Sequence, residues 1–366
     1  MGEEHTGEAP NTMQSTELDT GVYRLGRIDA LAGRYAWGHS KALTRTFPGR
    51  VAWQGDFRRE FGAALGGLGT WERPPLEPAT EETRQLDGYT REAVTFATRP
   101  GLRAFGYLLV PDGCPSHRPA ALCLPGHGRG VDSIVGIAAD GSQRPLDQPD
   151  EYARDFALQC VARGYPTFVL ELPGFGRRRD AQARAQGQDA NSCVRDSMAA
   201  LMLGETLAGW RVWDCVRALD YLETRTDVVD PARLAVLGIS GGGLAALFTA
   251  AWDTRVRACV VAGYFNTFRA SVLSIDHCVD NHVPGLLSLA EMPDLAALVA
   301  PRALFVESGR ADPLFPFAAF EGAVAQAREI YQEFGAPERF GAEAFDGGHQ
   351  FHGVGAFAFL EGALGA

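Results

Sequence analysis

The chain has 366 residues, 46% of them hydrophobic and 22% charged, with a formal net charge of −11. This is ordinary globular composition, with room for one large α/β domain plus appendages or for two modest domains. The acidic balance, without any Lys/Arg stripe interleaved with aromatics, argues against a nucleic-acid partner, and no apolar run approaches the ~20 residues of a membrane helix. Seven cysteines form no CxxC pair, and several sit inside apolar runs, such as Cys123 and Cys259. They read as buried thiols of a reducing compartment rather than a disulfide framework. The acidic start, Met-Gly-Glu-Glu-His-Thr-Gly-Glu, lacks the apolar core of a secretory signal. A cytoplasmic location is expected.

In chain order, residues 1–17 are polar and expected to be disordered. Residues 18–80 read as a helical N-terminal appendage, with a helix around Phe57–Leu65 and a stiff connection at Pro74-Pro75-Leu76-Glu77-Pro78. From 81 to 366 strand and helix signals alternate. Stretches 92–98 and 103–111 alternate apolar and polar residues, as an antiparallel edge pair would. Stretches 120–124, 167–172, 234–238, 258–262 and 303–307 are short apolar runs suited to strands buried on both faces, and 338–345 makes a last, mixed strand. Helical patterns lie between them at 152–164, 209–225, 243–251 and 317–334. The expectation is an α/β fold with a mostly parallel, eight-stranded, doubly wound sheet. Residues 174–208 and 266–300 break the alternation as insertions at strand ends, where open α/β sheets bind ligands. The run Arg177-Arg178-Arg179 is read as a solvated loop.

Residues 234–247, Leu-Ala-Val-Leu-Gly-Ile-Ser-Gly-Gly-Gly-Leu-Ala-Ala-Leu, carry the most chemistry. A strand, a Gly238-Ile239-Ser240-Gly241-Gly242 corner and a helix form a nucleophile elbow, with glycines where the turn is too tight for side chains. A serine hydroxyl needs an imidazole to take its proton, and the imidazole needs a carboxylate to orient it. In this arrangement the chain order is Ser, acid, His. Asp312 follows the strand at 303–307, and His349 lies in a Gly-Gly loop after the last strand. His352 rivals His349, while Glu307 and Asp346 rival Asp312. The Gly347-Gly348 pair favours His349, because it lets the loop reach over the sheet. The oxyanion hole needs two N–H groups. Gly241 is expected to supply one, and the loop after the 120–124 strand, Pro125-Gly126-His127-Gly128, the other, from His127.

These segments resemble the α/β-hydrolase superfamily from about residue 90 onward. They are similar in detail to bacterial serine esterases grouped with dienelactone hydrolases and acetyl xylan esterases. Leu-Pro-Gly-His-Gly, Gly-Trp-Arg-Val-Trp-Asp214, Gly-Ile-Ser240-Gly-Gly, Asp276-His-Cys-Val-Asp-Asn, Ser-Gly-Arg-Ala-Asp312 and Gly-Gly-His349-Gln-Phe-His-Gly carry the resemblance. It implies hydrolysis of a small-molecule carboxylic ester through an acyl-enzyme, without cofactor or metal. Dienelactone hydrolases use a cysteine nucleophile, so their substrate does not transfer to this serine. A C–C bond hydrolase or acyltransferase using the same triad is the alternative; a peptidase or a silent binding protein ranks lower. Asp276, His277, Asp280 and His282 match no zinc spacing and read as a pocket wall or helix cap. Gly174-Phe-Gly176 is too short for a dinucleotide fingerprint, and Trp210 and Trp213 read as core packing. The appendage would either close the site or form a homo-oligomer interface.

Overall fold

The computed structural model describes residues 50–145 and 148–365. The expected disordered start and residues 18–49 of the expected appendage lie outside them. Nine strands form one sheet: β1 (Ala79–Leu86), β2 (Tyr89–Arg99), β3 (Leu102–Pro111), β4 (Arg118–Leu124), β5 (Thr167–Leu170), β6 (Val229–Ile239), β7 (Val256–Ala262), β8 (Ala303–Gly309) and β9 (Phe340–Phe345). Their order is β1-β2-β3-β5-β4-β6-β7-β8-β9. Pairings from β1 through β3 to β5 are antiparallel and the rest parallel. The sheet is therefore mostly parallel with helices on both faces, but it has nine strands rather than eight. The ninth is β1, which starts inside the expected appendage and displaces the β2–β3 pair from the edge. Its sequence, Ala-Thr-Glu-Glu-Thr-Arg-Gln-Leu, is exposed along nearly its whole length, so neither face writes an apolar alternation. The signal for it was the Asp87-Gly88 turn, in which Gly88 has φ +81° and Leu86 pairs with Tyr89; such two-residue turns mark hairpins.

Ten helices accompany the sheet among the described residues: α1 (Arg50–Ala64), α2 (Phe156–Ala162), α3 (Ala181–Gln186), α4 (Cys193–Met202), α5 (Leu207–Thr224), α6 (Gly241–Trp252), α7 (Leu286–Leu289), α8 (Ala296–Val299), α9 (Phe317–Glu333) and α10 (Val354–Leu364). One apolar core lies between the sheet and α1, α5, α6, α8 and α9; a second lies under α2 and α10. No helix among the described residues is long and apolar enough to cross a membrane.

The helix expected around Phe57–Leu65 is α1, and it is built into the core. Phe57, Phe61 and Leu65 are fully buried, and Phe61 meets Phe248 of α6 edge to face at 5.2 Å. Helices end with carbonyls that have no partner in their own helix. Arg58 supplies partners, donating to the Ala251 carbonyl of α6 at 2.9 Å and the Leu298 carbonyl of α8 at 2.9 Å. Gln54 does the same for Ala297 and Ala300.

Strand order reverses between β4 and β6: from β4 the chain crosses to β5 on one side, then returns to β6 on the other. Crevices at the C-terminal ends of strands flanking such a reversal bind ligands in open sheets. The loop after β4 carries His127, and the corner after β6 is Ser240.

Candidate active site

Ser240 stands between β6 and α6 with φ 55° and ψ −120°, a region that costs a non-glycine residue about 1–3 kcal/mol. The glycines around it leave no room for a side chain. A Cβ on Gly238 would lie 2.0 Å from the Gly242 carbonyl oxygen, and one on Gly242 would lie 2.1 Å from that of Leu124. The elbow is thus backbone pressed on backbone, and the strain is held by α6 and β7. Leu244 N–H donates to the Ser240 carbonyl at 2.9 Å, and Ser240 N–H to the Ala262 carbonyl at 2.9 Å.

That last bond places Ser240 beside Gly263, over which the His349 ring lies. A Cβ on Gly263 would be 3.1 Å from the ring carbon between the nitrogens of His349 and 3.7 Å from Asp312 Oδ2. His349 Nδ1 is 2.7 Å from Asp312 Oδ2. The other carboxylate oxygen of Asp312 accepts Leu314 N–H at 2.8 Å and Phe315 N–H at 3.1 Å, which fixes the carboxylate. His349 Nε2 is buried and bonded to nothing among the described residues. The three sequence-chosen residues therefore converge at the end of β7.

The rivals are engaged elsewhere. Asp346 is almost fully exposed beside Arg310. Glu307 is buried and accepts the N–H groups of His352 at 2.8 Å and Gly353 at 3.0 Å; burial, against those bonds, raises its pKa to about 7. His352 stacks on Phe345 and faces Glu343 at 3.7 Å. The glycine pair before His349 works through its backbone: a Cβ on Gly309 would strike the carbonyls of both Gly347 and Gly348.

Sequence reasoning missed Tyr152 and Phe315, which sandwich the His349 ring with both centroids at 5.7 Å. The Tyr152 hydroxyl lies close to the Ser240 side chain, and burial pushes the phenol pKa up. Tyr152 lies in a turn before α2 rather than on a helix, and nothing in its local sequence sets it apart from a core tyrosine.

The amide of Gly241, at the start of α6, is one of the helix N–H groups left without an intrahelical partner. The His127 ring lies against the same residue: a Cβ on Gly241 would be 3.2 Å from His127 Nδ1. The far edge of that ring meets a buried polar cluster that joins Asp280, read from the sequence as a pocket wall or helix cap, to residues the sequence did not connect with it. His127 Nε2 is 3.2 Å from Asp280 Oδ2 and 3.8 Å from Cys193 Sγ. Burial disfavours charge on His127, but hydrogen bonds to Asp280 and Cys278 outweigh it and raise the pKa to about 9. Arg211, fully buried on α5, donates to Asp280 and, at 3.3 Å, to Cys193 Sγ. Asp280 thus joins His127, Cys193 and Arg211, while the ring nitrogens of His277, its neighbour in the sequence pattern, are buried without partners among the described residues.

The three arginines of the 177–179 run are not a solvated loop. Arg178 pairs with Asp214, Arg177 donates to the Tyr107 hydroxyl at 2.7 Å, and Arg179 donates to the carbonyls of Gly176, Gln188 and Ala190. They staple the first insertion to the sheet. Glu171 supports the same corner from below, accepting Val131 N–H and Arg177 N–H, both at 3.2 Å.

Comparisons with known proteins bear on the family and the fold. A sequence profile of the Abhydrolase family matches residues 49–344. A putative hydrolase of Bacillus subtilis (strain 168), YtaP, is 26% identical over 297 residues, covering 80% of this chain and 92% of its own. Among solved structures, a putative acetyl xylan esterase from Bacteroides fragilis NCTC 9343 is similar at TM-score 0.71 and 20% identity, over 88% of this chain and 83% of that one. A glucuronoyl esterase from Solibacter usitatus is similar at TM-score 0.61 and 18% identity, over 86% of this chain and 92% of that one.

Proposed function

Since the chain belongs to the Abhydrolase family of α/β-hydrolases, we propose that it is a serine esterase that cleaves a small carboxylic ester through an acyl-enzyme on Ser240. The observation that carries the reading is the Asp312–His349 pair at 2.7 Å, its free Nε2 edge buried beside a serine held at positive φ. Asp312 accepts the Nδ1 proton of His349, which sets the tautomer with a bare Nε2. That nitrogen takes the Ser240 proton as the oxygen attacks the ester carbonyl. The Gly241 and His127 N–H groups receive the oxyanion. His349 then protonates the leaving alcohol, and water repeats the sequence to release the acid. Tyr152, beside Ser240 and stacked on His349, keeps the two in register.

The similar structures named acetyl xylan and glucuronoyl esterases make acetylated sugars and uronate esters the first natural substrates to try. Seven unpaired thiols favour a reducing compartment for the protein. The test is hydrolysis of p-nitrophenyl esters from acetate to octanoate, with fluorophosphonate labelling, for wild type and Ser240→Ala. We expect turnover that falls beyond short acyl chains, labelling of wild type alone, and kcat lowered at least ~10³-fold in folded Ser240→Ala. A variant retaining a tenth of the activity would overturn the assignment of Ser240. Labelling without turnover of any ester would instead favour C–C hydrolysis or acyl transfer.

A further inference from the structure

His127, Cys193, Cys278 and Asp280 come from three segments far apart in sequence: the loop after β4, the start of α4 in the first insertion, and the turn at 278–281 in the second. One ligand atom from each lies within 4.8 Å of all the others. Three of the separations are resolved individually. His127 Nε2 to Asp280 Oδ2 is 3.2 Å, Cys193 Sγ to Asp280 Oδ2 is 3.4 Å, and Cys193 Sγ to His127 Nε2 is 3.8 Å. Zinc bonds of about 2.0–2.3 Å in a tetrahedron put neighbouring ligand atoms about 3.3–3.8 Å apart. These are the edges of such a tetrahedron, and Cys278 Sγ, within 4.8 Å of all three, stands where the fourth ligand is needed.

We propose that these four residues form a structural site for a divalent, borderline-soft cation, zinc first among them. The donor set of two sulfurs, an imidazole and a carboxylate excludes the all-oxygen preference of magnesium and calcium. Charge balance points the same way. Two thiolates and a carboxylate carry three negative charges, a divalent cation supplies two positive ones, and the buried Arg211 guanidinium supplies the third.

Arg211 also has the place of an outer support. It donates to Asp280 and to Cys193 Sγ at 3.3 Å from behind, while its Nε is held by the Pro173 carbonyl at 3.1 Å and its face lies 4.2 Å over Phe175. Outer partners of this kind orient metal ligands. Asn281 does the same for the second oxygen of Asp280, at 2.7 Å. Four protein ligands leave no open position, so the ion would not activate water. It would tie both insertions to the loop whose His127 N–H is proposed for the oxyanion hole. Half-exposed Cys278 and the partly exposed His127 give a path inward.

The test is metal analysis of the full chain purified without chelators, followed by replacement of the bound ion with Co²⁺. We expect about one zinc per chain, and a Co²⁺ form with tetrahedral visible bands and thiolate charge transfer in the near ultraviolet. Ser240→Ala should retain both, while Cys278→Ser should lower zinc affinity by more than the ~10–100-fold that outer partners are worth. Native-state reaction with a thiol reagent should lose Cys193 and Cys278 when zinc is bound and regain them after chelation. A wild-type Co²⁺ spectrum without a thiolate band, or zinc retained equally by Cys278→Ser, would overturn the site. The wild-type spectrum decides even where a cysteine variant does not fold.

Discussion

Around Ser240 the structure is backbone packed on backbone, with Gly238 against Gly242 and Gly242 against Leu124, whereas the two insertions are held by buried charged side chains. There Arg211 meets Asp280, Arg178 meets Asp214, and Glu171 receives two loop amides. Backbone contact tolerates no substituent, so the elbow is rigid and its cost is borne locally. A buried ionic cluster gains little net energy over an apolar one of the same shape, but it fails badly when one partner is removed. The two halves of the site should therefore break in different ways.

The largest effect is expected at the elbow. In Gly242→Ala the new Cβ would stand 2.1 Å from the Leu124 carbonyl and 2.6 Å from that of Pro125. Both obstacles are main chain, at the end of β4 and in the loop after it that is proposed for the oxyanion hole, so no rotamer relieves them. The destabilisation should exceed the ~1–3 kcal/mol of ordinary overpacking, seen as loss of soluble folded protein, with any folded fraction inactive. On the insertion side, Arg211→Met keeps much of the volume but removes the guanidinium that is fully buried against Asp280. Breaking such a pair costs about 3–5 kcal/mol, measurable by urea unfolding. A Gly242→Ala protein as stable as wild type would show that the loop after β4 moves freely, and the contrast would fall.

This contrast also explains what the sequence disclosed. Glycines forced by close backbone approach, and residues at strand ends in a fixed order, leave a local mark, so Ser240, Asp312 and His349 were legible together with the parallel strands. Tyr152, Cys193 and Arg211 were not, and Asp280 was read only as a pocket wall or helix cap. Each is an ordinary residue in its own segment, and its role comes from a neighbour many residues away. Cys193 and Asp280 are 87 positions apart, yet 3.4 Å separates their side-chain atoms. The solvated reading of Arg177–Arg179 failed for the same reason, since Asp214 and Tyr107 are distant partners. β1 was missed for the opposite cause: nothing covers it, so no apolar pattern exists to read.

A smaller effect separates the halves by pH. Burial, with the charge of nearby Asp132 adding to it, raises the Glu171 pKa to about 7 against opposing bonds from Arg177 and Val131 N–H. A carboxyl raised in the folded state binds protons there that the unfolded chain has already released. Its contribution is full below about pH 4.5, the unfolded value, and is lost as pH rises through about 7. Glu291, Asp294 and Glu307 share this direction, so the wild-type melting temperature should fall between pH 5 and pH 8. Glu171→Gln cannot ionise, and its melting temperature should fall less over that interval, by a few degrees (~2–4 °C). Equal slopes would mean that Glu171 is neutral, or charged, throughout.

The smallest expected effect has the opposite sign to the largest, from the same chemical change. Gly322 lies in α9, exposed, with nothing within 4 Å of where a Cβ would be. Alanine there removes backbone freedom from the unfolded chain and favours the helix, worth about 0.5–1 kcal/mol. In a chain of this size the melting temperature should rise by about 1–3 °C, with kcat unchanged. Glycine to alanine should thus oppose folding at 242 and aid it at 322, and only the neighbouring atoms differ. If Gly322→Ala destabilises the protein in solution, something must cover α9 there that the isolated chain does not supply. A concentration dependence of that loss would identify the cover as a second copy of this chain.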